Sequence, residues 1–548
     1  MNKISKFILI FLPSLFFGCL AVTMGKDTNW DLQNYHFYNG YAFLHNLTLS
    51  YKNILPAGIG TYLDPICNTF NFLLIDNLPP KAVGFAIGFL QGFIFTIIFI
   101  IAYYFLKFEK KYIRIFGSAL SAGLAMYAPD ALSELGNTMG DTLLGVFVLL
   151  SVYLILISDN NNGKKSINII YSELFLAGLF TGISSGLKYT NMVYAIAILF
   201  SLAMARFFKK DFLRKYFFIL AGMFIGFISV DGWWALELYK MFGNPVFPFM
   251  NGIFHSRYYP QISFKDGRWV PKNIVEWIFL PFFFNGNPNF KDMEINFTYY
   301  SFAIIYVLAV VILFKKIGNI FFYKNSDNTD NSKEILSSGE NWLIIFFVSS
   351  FIIWEFMFSY YRYIAPLEAL APVVIFILLG KLFKKKILLY ISYIIIAFFI
   401  VVTVRTQNWG RQPWNTSKTY FGVKLPPVPP KSLVLLDFQP SAFLIPFFPV
   451  DARFILINSP PFSYDPFMKI KFWKKLTENT ISGHKGPIFA ILIKQGIVNN
   501  LLKLKKYDLT LKSSCINIKN DINPDIVMCP LKRICLYDKD KKTDSGIP

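Results

Sequence analysis

Three ionisable side chains follow the first apolar segment of the chain. Residues 7–24 are long and apolar enough to cross a membrane, and Asp27, Asp31 and His36 come soon after them. Residues in that position lie near the level of the lipid headgroups. If a helix begins near Thr28, Asp27 occupies its N-cap, where a carboxylate accepts backbone N–H groups. This cap is the structural interpretation of Asp27, and a catalytic carboxylate is the functional one.

Asp31 falls one turn inside this predicted helix and shares a face with Asn34, Tyr35 and Tyr38. It is the leading candidate for a general base, with an exposed helix residue as the alternative. Suppose that the substrate is a sugar linked to polyprenyl phosphate, which is transferred to the hydroxyl of an acceptor. The phosphate of such a donor lies at the membrane surface, and it leaves as an already stable anion. One carboxylate that takes the acceptor's proton is therefore enough. Asn34, Tyr35 and His36 are candidates for substrate binding, although an ordinary hydrogen bond is the alternative for His36.

A second polar segment, 128–141, carries four residues at helical spacing. Asp130, Glu134, Asn137 and Asp141 are predicted to form one polar stripe on a helix. Acids beside a bilayer are costly and usually functional. Their oxygens suit a hard divalent cation such as Mg²⁺ or Mn²⁺, and they also suit orientation of the acceptor. A hydrogen-bonded seam between helices is the alternative.

Two cations are predicted at turns between apolar spans. Lys188 lies in SSGLKYTN and Arg362 lies in SYYRYIAPLEAL. Arginine binds a lipid phosphate through two hydrogen bonds, and lysine binds it as a point charge. The alternative for Lys188 is an aliphatic stem that reaches to the membrane surface. The alternative for Arg362 is an ion pair with Glu355 or Glu368.

The segment 235–298 contributes weaker candidates. It is rich in aromatic residues, proline and asparagine, and it contains Arg257, Asp266 and Arg268. Aromatic rings pack on the apolar faces of sugars, but Trp and Tyr also gather at any membrane interface, and that placement is the favoured interpretation.

Composition and periodicity predict the elements that position these side chains. Hydrophobic residues make up 54% of the 548 residues, and charged residues make up only 16%, whereas about 25% is usual in soluble proteins. With a mean hydropathy of +0.45, this composition predicts an all-α polytopic membrane protein. About eleven spans are expected, at 7–24, 82–106, 115–129, 142–157, 169–187, 190–205, 216–234, 299–314, 341–358, 364–380 and 387–404.

The distribution of basic residues predicts the orientation of these spans. A cytoplasmic N-terminus places 21 Lys and Arg among the 67 residues of six inner segments, which are 1–6, 107–114, 158–168, 206–215, 315–340 and 381–386. Only 10 occur among the 139 residues of the outer segments 25–81, 129–141, 235–298 and 359–363. This asymmetry agrees with the positive-inside rule. The net charge of +21 is therefore assigned to membrane topology, and no nucleic-acid partner is expected. The loops 25–81 and 235–298 and everything after residue 404 are predicted to be extracytoplasmic.

The tail is predicted to be a separate domain. Residues 1–404 form the expected transmembrane catalytic domain with its two outer loops, and 405–548 form a small extracytoplasmic α/β domain. Short apolar strands are predicted in this tail at 432–438, 453–457 and 488–493. Cys515 and Cys529 are expected to form a disulfide in an oxidising compartment, with two free thiols as the alternative.

This plan resembles the GT-C superfamily of membrane glycosyltransferases that use polyprenyl-phosphate sugars. That superfamily includes the protein O-mannosyltransferases, the lipid A aminoarabinose transferases and the oligosaccharyltransferases. The likeness covers the overall plan, and at the level of residues it is limited to DTNWDLQNYHFY (27–38) and, more loosely, ELGNTMGD, GLKYT and the turn 361–363. The resemblance implies a catalytic base at Asp31 or Asp27. It also implies that Lys188 and Arg362 hold the donor phosphate.

Two family signatures are absent from this sequence. The adjacent Asp-Glu pair of the protein O-mannosyltransferases is missing, and Trp233-Trp234 is followed by Ala235 where an oligosaccharyltransferase has Asp. These departures make a protein acceptor doubtful.

The sequence thus predicts an inverting glycosyltransferase in the inner (plasma) membrane. Its expected partners are a polyprenyl-phosphate-linked sugar, a glycan or lipid acceptor of the cell envelope, and the membrane lipid. A transporter or flippase of lipid-linked sugars and a surface-polysaccharide polymerase are the alternatives.

Overall fold

The structure is a computed structural model, and it is mostly helical with a small sheet near the C-terminus. It describes residues 3–534 apart from 107–108, 160–164, 207–210, 264–265, 286–296, 323–337, 407, 415–416, 459–464 and 496.

Long apolar helices dominate the chain, because a backbone in lipid must satisfy its own hydrogen bonds. Among the described residues, seven helical stretches are long and apolar enough to cross a membrane, and three further apolar helices are shorter. Each of the eleven predicted spans coincides with a helix, although length and composition alone do not establish how many cross. The helices of four turns or more are Lys3–Thr23, Lys111–Met126, Asp141–Asp159, Ile167–Leu187, Met192–Arg206, Phe212–Phe242, Ser301–Phe322, Ser338–Met357, Ala365–Leu382 and Lys386–Thr403. The shorter ones are Phe37–Leu44, Ile66–Asn77, Pro80–Gln91, Phe93–Phe105, Pro129–Ser133, Asn251–Phe254, Ile274–Phe283, Asp465–Met468, Lys471–Gly483 and Ile497–Leu504.

The chain folds into two compact units. The helical unit comprises Met1–Gly25, Gly84–Trp233 and Lys265–Trp409. The sheet unit comprises Lys26–Val83, Trp234–Phe264 and Gly410–Pro548. The first predicted loop and the first part of the second therefore fold together with the C-terminal segment.

One helix forms the centre of the helical unit. In the stretch Tyr361–Leu382, 83% of the residues in its most apolar 18-residue segment are buried, whereas in Lys386–Thr403 the share is only 22%. A helix that is apolar on all sides and buried is a core helix. The stretch that carries Arg362 is therefore held by packing on every side.

Two further helices of this unit approach each other through glycines. Gly178 and Gly182 on Ile167–Leu187 lie against the backbone of Phe212–Phe242, and Gly222 and Gly226 lie against the backbone of Ile167–Leu187. Small residues at such spacing let two helix backbones meet in a membrane.

The sheet unit is built on six strands. They are β1 (Leu433–Leu436), β2 (Arg453–Leu456), β3 (Ile488–Ile493), β4 (Leu509–Leu511), β5 (Ile516–Asn517) and β6 (Ile526–Arg533). Their order is β2-β1-β3-β6-β4, and β5 also pairs with β6. The strands β2, β1 and β3 are parallel, and β6 is antiparallel to its neighbours.

The three strands predicted from the tail are confirmed as β1, β2 and β3. The strands β4 and β5 are too short to give a sequence signal, and β6 was not predicted. The predicted disulfide between Cys515 and Cys529 is also confirmed. It joins the residue before β5 to the middle of β6. Residues of the first loop reach this sheet as well, since Ile54 pairs in parallel with Ile455 of β2.

Candidate functional site

Backbone pairing in the sheet unit holds the segment before Asp31 in place. The Lys26 N–H donates to the Gln412 carbonyl at 2.7 Å, and the Gln412 N–H donates back at 3.0 Å. The buried Lys26 ammonium donates to the Tyr420 carbonyl at 3.0 Å and lies 3.9 Å from Asp521. Burial lowers the pKa of Lys26, and the Asp521 charge opposes this shift. These contacts fix where the Asp31 helix begins.

The helix cap differs from the prediction. The Asn29 side-chain oxygen accepts the Leu32 N–H at 2.8 Å, so Asn29 performs the capping that was expected of Asp27. The Asp27 carboxylate instead accepts the backbone and side-chain N–H groups of Asn29 at 2.7–2.9 Å. The N-cap assignment of Asp27 is therefore wrong, because an asparagine two residues later is closer to the first turn. Asp27 supports the cap and is itself almost completely buried.

Asp31 lies at the start of a π-helical turn. Helical residues begin at Trp30, and Leu32–His36 form the turn before the α-helix Phe37–Leu44 continues. A π turn inserts one residue into the helix, so the face shared by Asp31 and Tyr38 is not the regular α-helical one predicted. Such turns occur frequently at functional sites. Asp31 is 9% exposed and therefore only just reaches solvent.

The neighbours of Asp31 on this helix are tied to the rest of the sheet unit. The Asn34 amide donates to the Ala57 carbonyl at 3.3 Å, and its oxygen accepts from the Gln439 side chain at 3.1 Å. The Tyr35 ring packs edge-on against the His36 ring, with centroids 4.4 Å apart. His36 is buried, whereas Tyr35 is half-buried. The polar groups of this helix are thus held in place, and Asn34 contacts the loop after β1 through Gln439.

In the helical unit, the second polar segment is not the continuous helix that its spacing predicted. A short helix covers Pro129–Ser133, irregular backbone follows, and the next helix begins at Asp141. Gly136 and Gly140 have φ angles of +79° and +83°, which interrupt a right-handed helix. A Cβ at Gly136 would lie 2.7 Å from the Ala21 Cβ. The predicted stripe is therefore wrong as local structure, although its acids still come together.

Asp141 is the point on which the two predicted cations converge. The Lys188 ammonium lies 2.6 Å from Asp141 Oδ1, and Arg362 Nε lies 3.9 Å from Oδ2. Both cations also lie over the Tyr363 ring, at 5.5 and 5.3 Å from its centroid. Residues far apart in the chain, at the ends of three apolar helices, thus form one charged cluster.

Glu134 is held by a buried amide and a threonine. Its Oε2 accepts the backbone N–H and the hydroxyl of Thr142, both at 2.9 Å. The Gln91 amide donates to the Glu134 carbonyl at 3.0 Å and accepts the Gly136 N–H at 2.6 Å. Gln91 was not predicted, although one amide inside an otherwise apolar run is a signal for such bonds.

Glu368 holds the short helix that carries Asp130. Its carboxylate accepts the backbone N–H groups of Asp130 and Ala131 at 3.0–3.2 Å, and it accepts the Tyr361 hydroxyl at 2.5 Å. Glu368 was expected as an alternative partner of Arg362, and the structure gives it this capping contact. Asp130 is completely buried, and in the described part of the chain neither of its carboxylate oxygens accepts a hydrogen bond.

The surroundings of Asp130 and Glu134 favour the neutral form of both carboxyl groups. Burial raises the pKa of Asp130 well above its ordinary value, and the charges of Glu134, Glu368 and Asp141 raise it further. Burial, followed by the Asp141 charge, raises the pKa of Glu134 to about 8, against the opposing effect of Lys188 and Thr142. Both shifts favour the protonated form of these two neighbours of Asp141.

Further contacts fix the turn that carries Arg362. The Tyr194 hydroxyl donates to the Tyr363 carbonyl at 2.6 Å. Arg268 binds Asp266 through two nitrogens, and Asp266 also accepts the Tyr360 hydroxyl. These hydrogen bonds bring the pKa of Asp266 below its usual value, although burial alone would raise it.

The predicted residues fall into two groups, one in each unit. The helical unit brings together Asp130, Glu134, Asp141, Lys188 and Arg362, and the sheet unit carries Asp27, Asp31, Asn34, Tyr35 and His36. Arg257, the third weak candidate, is exposed in the sheet unit and donates to the Tyr258 hydroxyl at 2.9 Å.

No group of three or more His, Cys, Asp or Glu side chains is arranged to hold a metal ion within the described ranges. Of the acids in segment 128–141, Glu134 accepts hydrogen bonds from Thr142, and Asp141 lies against Lys188 and Arg362.

No protein-family model, curated protein or solved structure matches this chain.

Proposed function

We propose that the protein is an inverting glycosyltransferase that moves a sugar from a polyprenyl-phosphate donor to a hydroxyl of a cell-envelope glycan or lipid. Asp31 takes the acceptor's proton while the acceptor oxygen attacks the anomeric carbon. The bond from that carbon to the phosphate oxygen breaks, and polyprenyl phosphate leaves. Lys188 and Arg362 stabilise the charge that grows on this phosphate.

The convergence of Lys188 and Arg362 on Asp141 is the observation that carries this proposal. A lipid phosphate lies at the headgroup level, so the groups that bind it must lie where apolar helices end. Lys188 follows the helix Ile167–Leu187, and Arg362 precedes Ala365–Leu382. Their side chains are 20% and 11% exposed, which leaves both reachable by a ligand.

The raised pKa values of the neighbouring acids support the same assignment. The raised pKa values of Asp130 and Glu134 reduce the negative charge that faces Lys188 and Arg362. The local charge therefore favours an anion. Ionised carboxylates at these two positions would instead repel a phosphate.

The setting of Asp31 supports its role as base. The residue belongs to a π turn whose start is fixed by Asn29 and Asp27, so its backbone position is well defined. A base acts efficiently when it is fixed near the hydroxyl and shielded from bulk water. The proposed location is the inner membrane with the N-terminus in the cytoplasm, which the distribution of Lys and Arg supports.

Mass spectrometry of envelope glycans from cells with and without the protein identifies the transferred sugar. The purified protein in liposomes is then supplied with that sugar on polyprenyl phosphate and with the acceptor. We expect Asp31→Asn to abolish transfer, because asparagine cannot take a proton. We expect Lys188→Met to weaken donor binding and raise KM for the donor, because it removes one charge from the phosphate site.

Asp76→Asn is the matched control, since Asp76 is an exposed acid on the helix Ile66–Asn77 of the same predicted loop. It should transfer at the unaltered rate. Full activity of Asp31→Asn would remove Asp31 from the mechanism. Unchanged envelope glycans in cells that lack the protein would reject the proposed reaction altogether.

Transport of a lipid-linked sugar is the second candidate, and two buried acids favour it. Asp231 on Phe212–Phe242 is buried and accepts the Tyr189 hydroxyl at 2.8 Å, and Glu355 on Ser338–Met357 is 5% exposed. Ionisable groups inside membrane helices often mark transport paths. Movement of a labelled polyprenyl-phosphate sugar across liposomes, without covalent transfer and unaffected by Asp31→Asn, would favour this function.

A further inference from the structure

One short helix of the helical unit has an apolar face that is largely exposed. The helix Ile274–Phe283 exposes Ile274 by 70%, Val275 by 56%, Ile278 by 45% and Phe279 by 44%. These positions recur at i, i+1, i+4 and i+5, so they share one side of the helix. Four large apolar side chains on one side of so short a helix require a cover other than water.

Other side chains of this helix pack on two apolar helices. The Trp277 ring lies 4.7 Å from the Phe356 ring, which belongs to the last turn of Ser338–Met357. The Phe282 ring lies 5.4 Å from Tyr306, in the second turn of Ser301–Phe322. Leu280 between them is 1% exposed. The short helix is therefore fixed beside the ends of two long apolar helices.

Its length excludes a crossing of the membrane. Ten residues make a helix of about 15 Å, half of the ~30 Å that a bilayer core requires. A helix of this length beside the ends of membrane helices fits a position along the membrane surface.

Polar groups gather at one end of the helix. The Asn273 side chain accepts the N–H groups of Val275 and Glu276 at 3.0 Å, and Glu276 accepts from Lys272 and Asn273 at 2.6 Å. This reciprocal cap satisfies the first turn without neighbouring elements. The helix is thus stable with one side against the protein and the other side covered by an apolar medium.

The apolar face continues a surface that already belongs to the membrane. Phe356, which touches Trp277, is 64% exposed, and Ile352 one turn earlier is 52% exposed. Both lie on Gly339–Met357, one of the stretches long enough to cross the membrane. Exposed apolar side chains on such a stretch face lipid, and the short helix extends that lipid-facing surface sideways.

We propose that Ile274–Phe283 is an interfacial helix that lies in the plane of the membrane, with Ile274, Val275, Ile278 and Phe279 inserted among the lipid chains. Its partner is the bilayer itself, at the boundary between headgroups and acyl chains. It anchors the loop that contains Asp266 and Arg268 at a defined depth. This inference stands on packing and exposure alone, so it holds whether or not the protein transfers sugars.

Spin labels on the full-length protein in liposomes test the depth of this helix. A nitroxide is attached at Ile278→Cys after Cys19, Cys67 and Cys535 are replaced by serine and the Cys515–Cys529 disulfide is kept. Collisions with oxygen, which concentrates in lipid, are compared with collisions with a water-soluble nickel chelate. We expect strong oxygen and weak nickel accessibility, at a depth of about 5–10 Å below the phosphates.

Lys272→Cys is the matched control, because Lys272 is exposed two residues before the helix begins. Its label should report water. Val275→Cys gives a second label on the apolar face, and its exposure means that the substitution does not disturb packing. Nickel accessibility at residues 275 and 278 equal to that at 272 would overturn the proposal. So would labels shielded from both reagents, which would indicate that a second copy or another protein covers the face.

Discussion

Replacing Gly182 with alanine is expected to force two membrane helices apart. A Cβ at this position would lie 2.1 Å from the Met223 carbonyl oxygen and 2.8 Å from the Phe227 nitrogen. Both atoms belong to the backbone of Phe212–Phe242, so no side-chain rotation can relieve the overlap. Ordinary contact begins at 3.4 Å, and the helices must therefore separate locally by about 1.3 Å.

That separation also weakens the other three close approaches of this pair. Gly178, Gly222 and Gly226 each have a carbonyl oxygen of the facing helix 2.1–2.2 Å from the place of a Cβ. Dispersion contacts are lost steeply when a gap of this size opens. Overpacking of a close-packed interior costs about 1–3 kcal/mol. We expect Gly182→Ala to lower the free energy of unfolding by that amount.

Thermal unfolding of the purified protein in a mild detergent measures this effect, and titration with a denaturing detergent gives the free energy. Gly123→Ala is the control, because Gly123 lies on the apolar helix Lys111–Met126 with no atom within 4 Å of a Cβ. It should leave stability unchanged or raise it slightly, since alanine favours a helix more than glycine does. Equal stabilities of the two variants would refute the claim that backbone contact at Gly182 holds the pair together.

Two further predictions concern the sheet unit. Burial raises the pKa of Asp437 to about 6, against the charge of Lys503 and the neighbouring Asn458 amide. Since this pKa lies above the ~3.9 of an unfolded chain, the folded state binds more protons between these values. Asp437 therefore makes stability fall as pH rises from about 4 to 6, and it costs on the order of 2–3 kcal/mol at pH 7. Asp437→Asn should remove this slope in pH-dependent thermal unfolding, and an unaltered slope would contradict the assignment. Replacing Cys515 and Cys529 by serine should lower stability by about 3 kcal/mol, because the disulfide closes a loop of about 15 residues. The same loss should follow reduction of the unaltered protein, and an unaltered midpoint in both measurements would contradict it.

Much of the architecture is predictable because its signals are local. An apolar run of about twenty residues has few alternatives to a membrane helix, and helices occur at all eleven predicted spans. The apolar strands β1, β2 and β3 were also evident, since each is short and bounded by turn residues. The strands β4 and β5, with three and two residues, form only because β6 supplies their hydrogen bonds.

The helix cap shows where local signals are ambiguous. Asp27, Thr28 and Asn29 are all good N-cap residues, and sequence alone does not choose among them. Pairing of Lys26 with Gln412 sets the path of the chain, and this path leaves Asn29 as the residue that reaches the first turn. The π turn after Asp31 has no comparable signal in the sequence.

The residue types of the candidate site are determined by the sequence alone, because burying a charge in or beside a membrane is costly enough to mark each such residue. Their partners are decided by tertiary structure. Lys188 and Arg362 meet at Asp141 because three helices end side by side, and Glu368 serves Asp130 because packing carries a helix N-terminus to it. A helical stripe was the wrong model for segment 128–141, since Gly136 and Gly140 turn the backbone where spacing predicted a continuous helix. Periodicity describes one element at a time, whereas the energy of a buried charge depends on which elements surround it.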